Sequence, residues 1–215
     1  MQMKKIFAVT GAIALSLSMT SVAFAATDTD GVNLSVTVGE TMTLNCGGDV
    51  DIDGGGANVV TPGTPVSNTT TCTVTTNDAE GYNLSVADDR GASNALYHET
   101  LSGTLDGQIA DKTAWDPTLN AGDGNAVAWS STGLGFGVLS STATKNTTWW
   151  GTSTTCDDAG QLYAGLPSID TNIMEHTAYS NASTDTVVCY RVDVPSTQIA
   201  GEYDGSVTYT ATGRP

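Results

Sequence analysis

Residues Val187–Gly213 read VVCYRVDVPSTQIAGEYDGSVTYTATG, two runs of alternating apolar and polar side chains around a short turn-rich segment. Alternation with period two marks strands with one buried face, because successive side chains point to opposite sides of the pleat. In the first run Val188, Tyr190, Val192 and Val194 share a face, and Pro195 ends the strand by removing a donor and fixing φ. In the second run Tyr203, Val207, Tyr209 and Ala211 face one way, while Asp204, Ser206, Thr208 and Thr210 face the other. Gly201 suits a turn position between them. The two runs are expected to form an antiparallel pair buried on one face.

The same pattern recurs upstream. Val32–Val38 (VNLSVTV) sets Val32, Leu34, Val36 and Val38 against Asn33, Ser35 and Thr37, and Gly39-Glu40 should turn the chain into a second strand at Thr41–Cys46. Asp49–Asp53 (DVDID) alternates and stops at Gly54–Gly56, and Asn58–Thr69, with Pro62 and Pro65, reads as an exposed loop. Thr70–Thr76 and Tyr82–Ala87, around the polar turn Asn77–Gly81, predict a hairpin. From about 88 to 185 the pattern loosens. There we expect a short helical turn within Ala92–Leu101 and strands at Leu105–Ala110, Ala126–Ser130 and Leu134–Leu139. Leu162, Tyr163 and Leu166 should anchor a packed loop over Cys156–Pro167, and Ile169–Asp185 reads as a polar loop. No stretch sustains a 3.6-residue apolar period, so helices should be few. The expected fold is all-β: an antiparallel β-sandwich, one domain over 26–215 with a loop-rich middle.

Lys4 and Lys5 precede the apolar run Ile6–Leu17, and Ala23-Phe24-Ala25 offers an A-x-A cleavage site. Residues 1–25 therefore read as a secretory signal peptide, with the mature chain starting at Ala26. An apolar run of about a dozen residues is short for a membrane span of ~20. Loss of Lys4 and Lys5 takes the formal net charge from −16 to −18. So acidic a surface repels phosphate backbones and anionic lipid, which argues against nucleic acid and leaves glycans, cations and other proteins as partners. Neither a second hydrophobic span nor a sorting signal precedes the terminal Gly213-Arg214-Pro215, so surface attachment should be non-covalent.

All four cysteines fall in the exported part: Cys46, Cys72, Cys156 and Cys189. An even count in an oxidising compartment implies two disulfides. Met42, Leu44 and Cys46 share a strand face, as do Cys72 and Val74. Cys189 lies on the opposite face from Tyr190, Val192 and Val194, and Cys156 sits in a polar segment. This parity favours Cys46–Cys72 and Cys156–Cys189, each closure stabilising by roughly 3.5 kcal/mol on the chain-entropy model. No C-x₂-C spacing supports zinc.

Thr70–Val86 (TTCTVTTNDAEGYNLSV) and Val192–Pro215 (VDVPSTQIAGEYDGSVTYTATGRP) resemble the WxL-type cell-surface domains of Gram-positive bacteria. The likeness lies in an alternating strand, a polar turn and an aromatic-x-leucine strand, with a V-x-V-P…G-x-Y…V-T-aromatic strand closing the domain. Tyr82-Asn83-Leu84 and Tyr209-Thr210-Ala211 stand where that family has Trp-x-Leu. The resemblance implies a secreted protein held non-covalently at the cell envelope through its β domain. The same residues are similar, more loosely, to secreted pilin-like and spore-coat-U-like domains, which assemble by strand donation.

Two stretches carry candidate binding chemistry. Asp49-x-Asp51-x-Asp53-Gly54 opens like a calcium loop, although positions nine and twelve are Ala57 and Val60. Its alternative is an edge strand whose acidic outer face deters pairing. Trp149-Trp150, in a Thr/Asn-rich stretch, can offer stacking faces to a sugar or a partner protein, or can plug the core. G-x-S-x-G is missing, and His98 and His176 sit in unrelated polar contexts, so no catalytic residues and no cofactor beyond calcium are expected. The functional expectation is a secreted, non-enzymatic cell-envelope protein with a structural or adhesive role, whose partners are envelope glycan or other surface proteins. The alternatives are a pilin-like subunit that self-assembles by donating Ala26–Val38, and a glycan-binding module using Trp149 and Trp150.

Overall fold

The computed structural model describes residues 33, 35–52, 59–89, 96–101, 107–119, 124–141 and 145–215. The chain divides into Met1–Val38 and Gly39–Pro215. In the first unit the described residues, 33 and 35–38, are not in a strand, and Val36 and Val38 are 87% and 78% exposed. The signal peptide and the rest of the strand expected at Val32–Val38 lie outside the described residues.

The second unit is an antiparallel β-sandwich. One sheet runs in the order β1 (Met42–Cys46), β2 (Val66–Thr76), β10 (Ser180–Asp193), β7 (Gly133–Ser141). The other runs β12 (Val207–Gly213), β3 (Tyr82–Asp88), β9 (Thr171–His176). Their inner faces meet in one core: Val74, Phe136, Val138 and Val188 from the first sheet, Leu84, Val86 and Ile173 from the second, all wholly buried. A small sheet joins β11 (Tyr203–Asp204), β4 (Leu96–His98) and β5 (Gln108–Ile109), and β6 (Val127–Ala128) pairs with β8 (Leu162–Tyr163). The one described helix, α1 (Thr147–Trp150), is a single turn. Among the described residues no helix is long and apolar enough to cross a membrane.

The C-terminal runs keep their expected faces but are not partners. β10 pairs with β2 and β7, whereas β12 pairs with β3 in the opposite sheet. They meet through their apolar faces, and the Tyr190 and Tyr209 hydroxyls hydrogen-bond across the core. The connection from Pro195 is long enough to cross the ~10 Å between stacked sheets. The hairpin expected at Thr70–Ala87 fails for the same reason. β2 and β3 lie in different layers, and 77–81 forms an arch that crosses between them.

The arch is held locally. Asp78 N–H donates to Thr76 Oγ1 at 3.0 Å, and Glu80 N–H donates to Asp78 Oδ1 at 2.9 Å. Gly81 has φ +86°, and a Cβ there would lie 2.0 Å from the His176 carbonyl oxygen. Gly81→Ala is therefore expected to cost about 1–3 kcal/mol, seen as a lower denaturant midpoint. An unchanged midpoint contradicts this arch.

Two further expectations are corrected. Ile169–Asp185 is not a polar loop: it holds β9 and the start of β10. The register of β9 against β3 shifts between Leu84 and Ser85, so the consecutive residues Ile173 and Met174 are both buried. A bulge of this kind breaks the alternation that reveals a strand. The described part of Ala92–Leu101 forms β4 followed by a turn instead of a helical turn.

Candidate functional site

Trp149 and Trp150 do not form a surface platform. Asn146 caps α1, its Oδ1 accepting from Thr148 N–H at 3.1 Å and Trp149 N–H at 3.2 Å, which turns both indoles inward. Trp150 is fully buried and Trp149 is 8% exposed. Trp150 lies 4.3 Å from Trp115 and 5.3 Å from Phe136, and Trp115 meets Trp149 edge-on at 5.4 Å. The indole N–H groups of Trp115 and Trp150 donate to the carbonyls of Asn172 and Ile173, each at 2.8 Å. The pair thus caps carbonyls of β9, a role that suits an amphipathic ring with one polar handle. A glycan stacked on these faces has no access to them.

The acidic stretch keeps its alternation without a ladder. Asp49 and Asp51 are exposed, while Val50 and Ile52 pack against the core, and none of the four is in a strand. Asn68 Nδ2 donates to the Asp51 carbonyl at 2.7 Å, a side-chain substitute for strand pairing. Asp53, the third candidate calcium ligand, lies outside the described residues. Among the described residues no three Asp, Glu, His or Cys side chains gather where they could hold a metal.

Both disulfides join the cysteines that parity favoured, Cys46–Cys72 and Cys156–Cys189. The first links residues directly opposite each other on β1 and β2. The second sits on the far side of the first sheet. Cys189 is fully buried there with Cys156, Leu139 and Tyr163 in a small second core, under the segment that follows α1. Outside Tyr163, Trp129 is flanked by two cations: Lys112 Nζ lies 4.1 Å and Arg191 Cζ 5.2 Å from its ring centre. Lys112 Nζ donates to the Ser131 carbonyl and hydroxyl and to the Thr132 carbonyl, so its charge is spent on the loop it holds.

The histidines also serve local packing. His98 Nδ1 accepts from Thr100 N–H at 3.2 Å, which leaves Nε2–H to face the Ala200 carbonyl at 3.4 Å. His176 packs on Tyr82, and burial lowers its pKa.

Lys145 Nζ donates to the carbonyls of Leu139 and Ser153, each at 3.0 Å, and to Gln161 Oε1 at 3.3 Å. Burial pushes its pKa down from 10.5 to about 8, and pushes Tyr163 and Tyr190 up from 10.0 to about 12. Between about pH 8 and 10.5 the unfolded chain therefore holds a proton that the folded lysine has released, and stability rises with pH. Above about pH 10 the tyrosines ionise first in the unfolded chain, and stability falls. Denaturant midpoints should climb from pH 8, peak near 10 and then drop, and Lys145→Met should lack the climb. A flat wild-type profile over that window contradicts the buried amine.

The second unit holds an open groove of about 590 Å³. Leu134, Leu166 and Tyr190 form its buried base, and Ile52 stands across it from Val207 and Tyr209. Nothing in the candidate residues of the sequence pointed to it, because its lining comes from strands and loops far apart in the chain, from Cys46 to Tyr209. Its acidic wall alone was legible, as the DVDID stretch. Compared with models of known protein families and with curated proteins, the chain matches none, so no family is assigned and function rests on its own residues.

Proposed function

We propose that this chain is an exported, non-enzymatic protein of the bacterial cell envelope with a structural or adhesive role, held non-covalently through its sandwich. The observation that carries the proposal is the open groove of about 590 Å³ in the sandwich, apolar at its base and acidic at its mouth, a surface suited to recognition. Two disulfides in a β-sandwich fit an oxidising, extracellular setting. The likeness of Thr70–Val86 and Val192–Pro215 to WxL-type domains points the same way. Purified mature protein should sediment with isolated cell envelopes and be released by concentrated urea. Protein that stays in the supernatant, or that needs a wall-degrading enzyme for release, overturns the reading.

A second reading, assembly by strand donation, is favoured by the 87% and 78% exposure of Val36 and Val38 within an alternating leader. A ladder of SDS-resistant oligomers that disappears when residues 26–38 are deleted supports it. A single monomer peak from the full mature chain eliminates it.

A further inference from the structure

β1 and β12 lie beside each other across the two layers, yet among the described residues each pairs with a single strand, β2 and β3 respectively. Where β1 ends at Cys46 and β12 begins at Val207, the seam between them widens into the apolar groove. Asp49, Asp51 and Glu202 stand exposed at its mouth, and among the described residues no lysine or arginine lines it. At the other end of the seam Asp78 is 6% exposed, and its Oδ2 has no hydrogen-bond partner among the described residues. That oxygen is packed against Gly213, 2.7 Å from where a Cβ there would sit and with Met42 beside it, so the seam is closed at that end. The groove thus offers an apolar trough with negative charge at its mouth.

We propose that this groove binds an extended, positively charged segment of a partner protein. Its apolar side chains fill the trough, and its lysines or arginines meet Asp49, Asp51 and Glu202. Charge decides against a second copy of this chain as occupant. The leader segment VNLSVTV is bordered by Asp28, Asp30 and Glu40 and brings like charge to an acidic mouth. The inference rests on attachment through the sandwich, and it names the chemical class of the partner.

The test uses the mature disulfide-bonded protein and labelled peptides, read by fluorescence anisotropy at low and high salt. The probes are an alternating KVTVKVTVK peptide, its glutamate counterpart, a scrambled peptide of equal positive charge, and the chain's own residues 26–40. The lysine peptide should bind most tightly and weaken with salt. Asp49→Asn/Asp51→Asn/Glu202→Gln together should weaken it at least tenfold without shifting the melting temperature. Glu80→Gln/Asp158→Asn/Asp170→Asn, which removes as many charges away from the groove, should leave it unchanged. Equal loss in both triple variants, equal binding of the scrambled peptide, or no binding at all overturns the proposal. Tighter binding of the 26–40 peptide overturns it in favour of self-assembly. Wild-type protein that sediments with envelopes but ignores the lysine peptide removes this inference alone. Failure to sediment removes the functional reading beneath it.

Discussion

Replacing Trp150 with alanine is expected to lower the unfolding free energy by about 3–5 kcal/mol, the range for deleting a large aromatic from a packed core. The indole is fully buried between Trp115 and Phe136, and its N–H satisfies the Ile173 carbonyl at 2.8 Å. Truncation leaves both a cavity and an unmet acceptor beside β9. For a chain of this size each kcal/mol moves the melting temperature by about 2–4 °C, so a loss on the order of 10 °C is expected. Trp150→Phe separates the two contributions: it keeps most of the ring volume and loses the hydrogen bond, for about 1–2 kcal/mol. A melting temperature for the alanine variant equal to wild type would mean that this end of the sandwich is not closed by the indole.

Removing the second disulfide should be nearly as damaging, and more so than its loop length alone suggests. On the chain-entropy model the sequence separations of 26 and 33 make the two bridges almost equal, at about 3.5 kcal/mol each. Their surroundings differ. Cys46 and Cys72 already face each other in the β1–β2 ladder, so the strands stay in register without the bond. Cys156 instead ties the segment after α1 to the back of β10, where Leu139 and Tyr163 are buried with it. Cys156→Ala/Cys189→Ala should therefore lower the denaturant midpoint more than Cys46→Ala/Cys72→Ala. It should also raise the fluorescence response of Trp129 to quencher, because Trp129 packs on Tyr163. Equal losses from the two double variants would contradict a separate outer core.

How far the chain could be read depends on which physical relation each feature expresses. Alternation along Val188–Val194 and Val207–Ala211 reports which side chains meet oil, a property of the pleat itself, and those faces are buried as expected. Side-chain parity did the same for the cysteines: Cys46 and Cys72 share the main core, and Cys189 turns away from it toward Cys156. Where the alternation breaks, at the bulge that buries Ile173 beside Met174, a strand looked like a loop. Neighbours in the ladder are a different matter. Peptide groups are alike whatever side chain they carry, so nothing in Thr70–Ala87 or Val187–Gly213 distinguishes pairing edge to edge from packing face to face.

The local pattern along the polypeptide thus settled the all-β class, the buried faces and the cysteine partners, because each follows from the two-residue repeat of an extended backbone. The assignment of strands to layers, the inward turn of Trp149 and Trp150, and the acidic-mouthed trough between β1 and β12 came from the folded chain. The layers and the trough depend on segments more than a hundred residues apart closing over a shared core, and the indoles turn inward onto Trp115, Phe136 and Ile173, outside their own stretch; no local pattern carries that information.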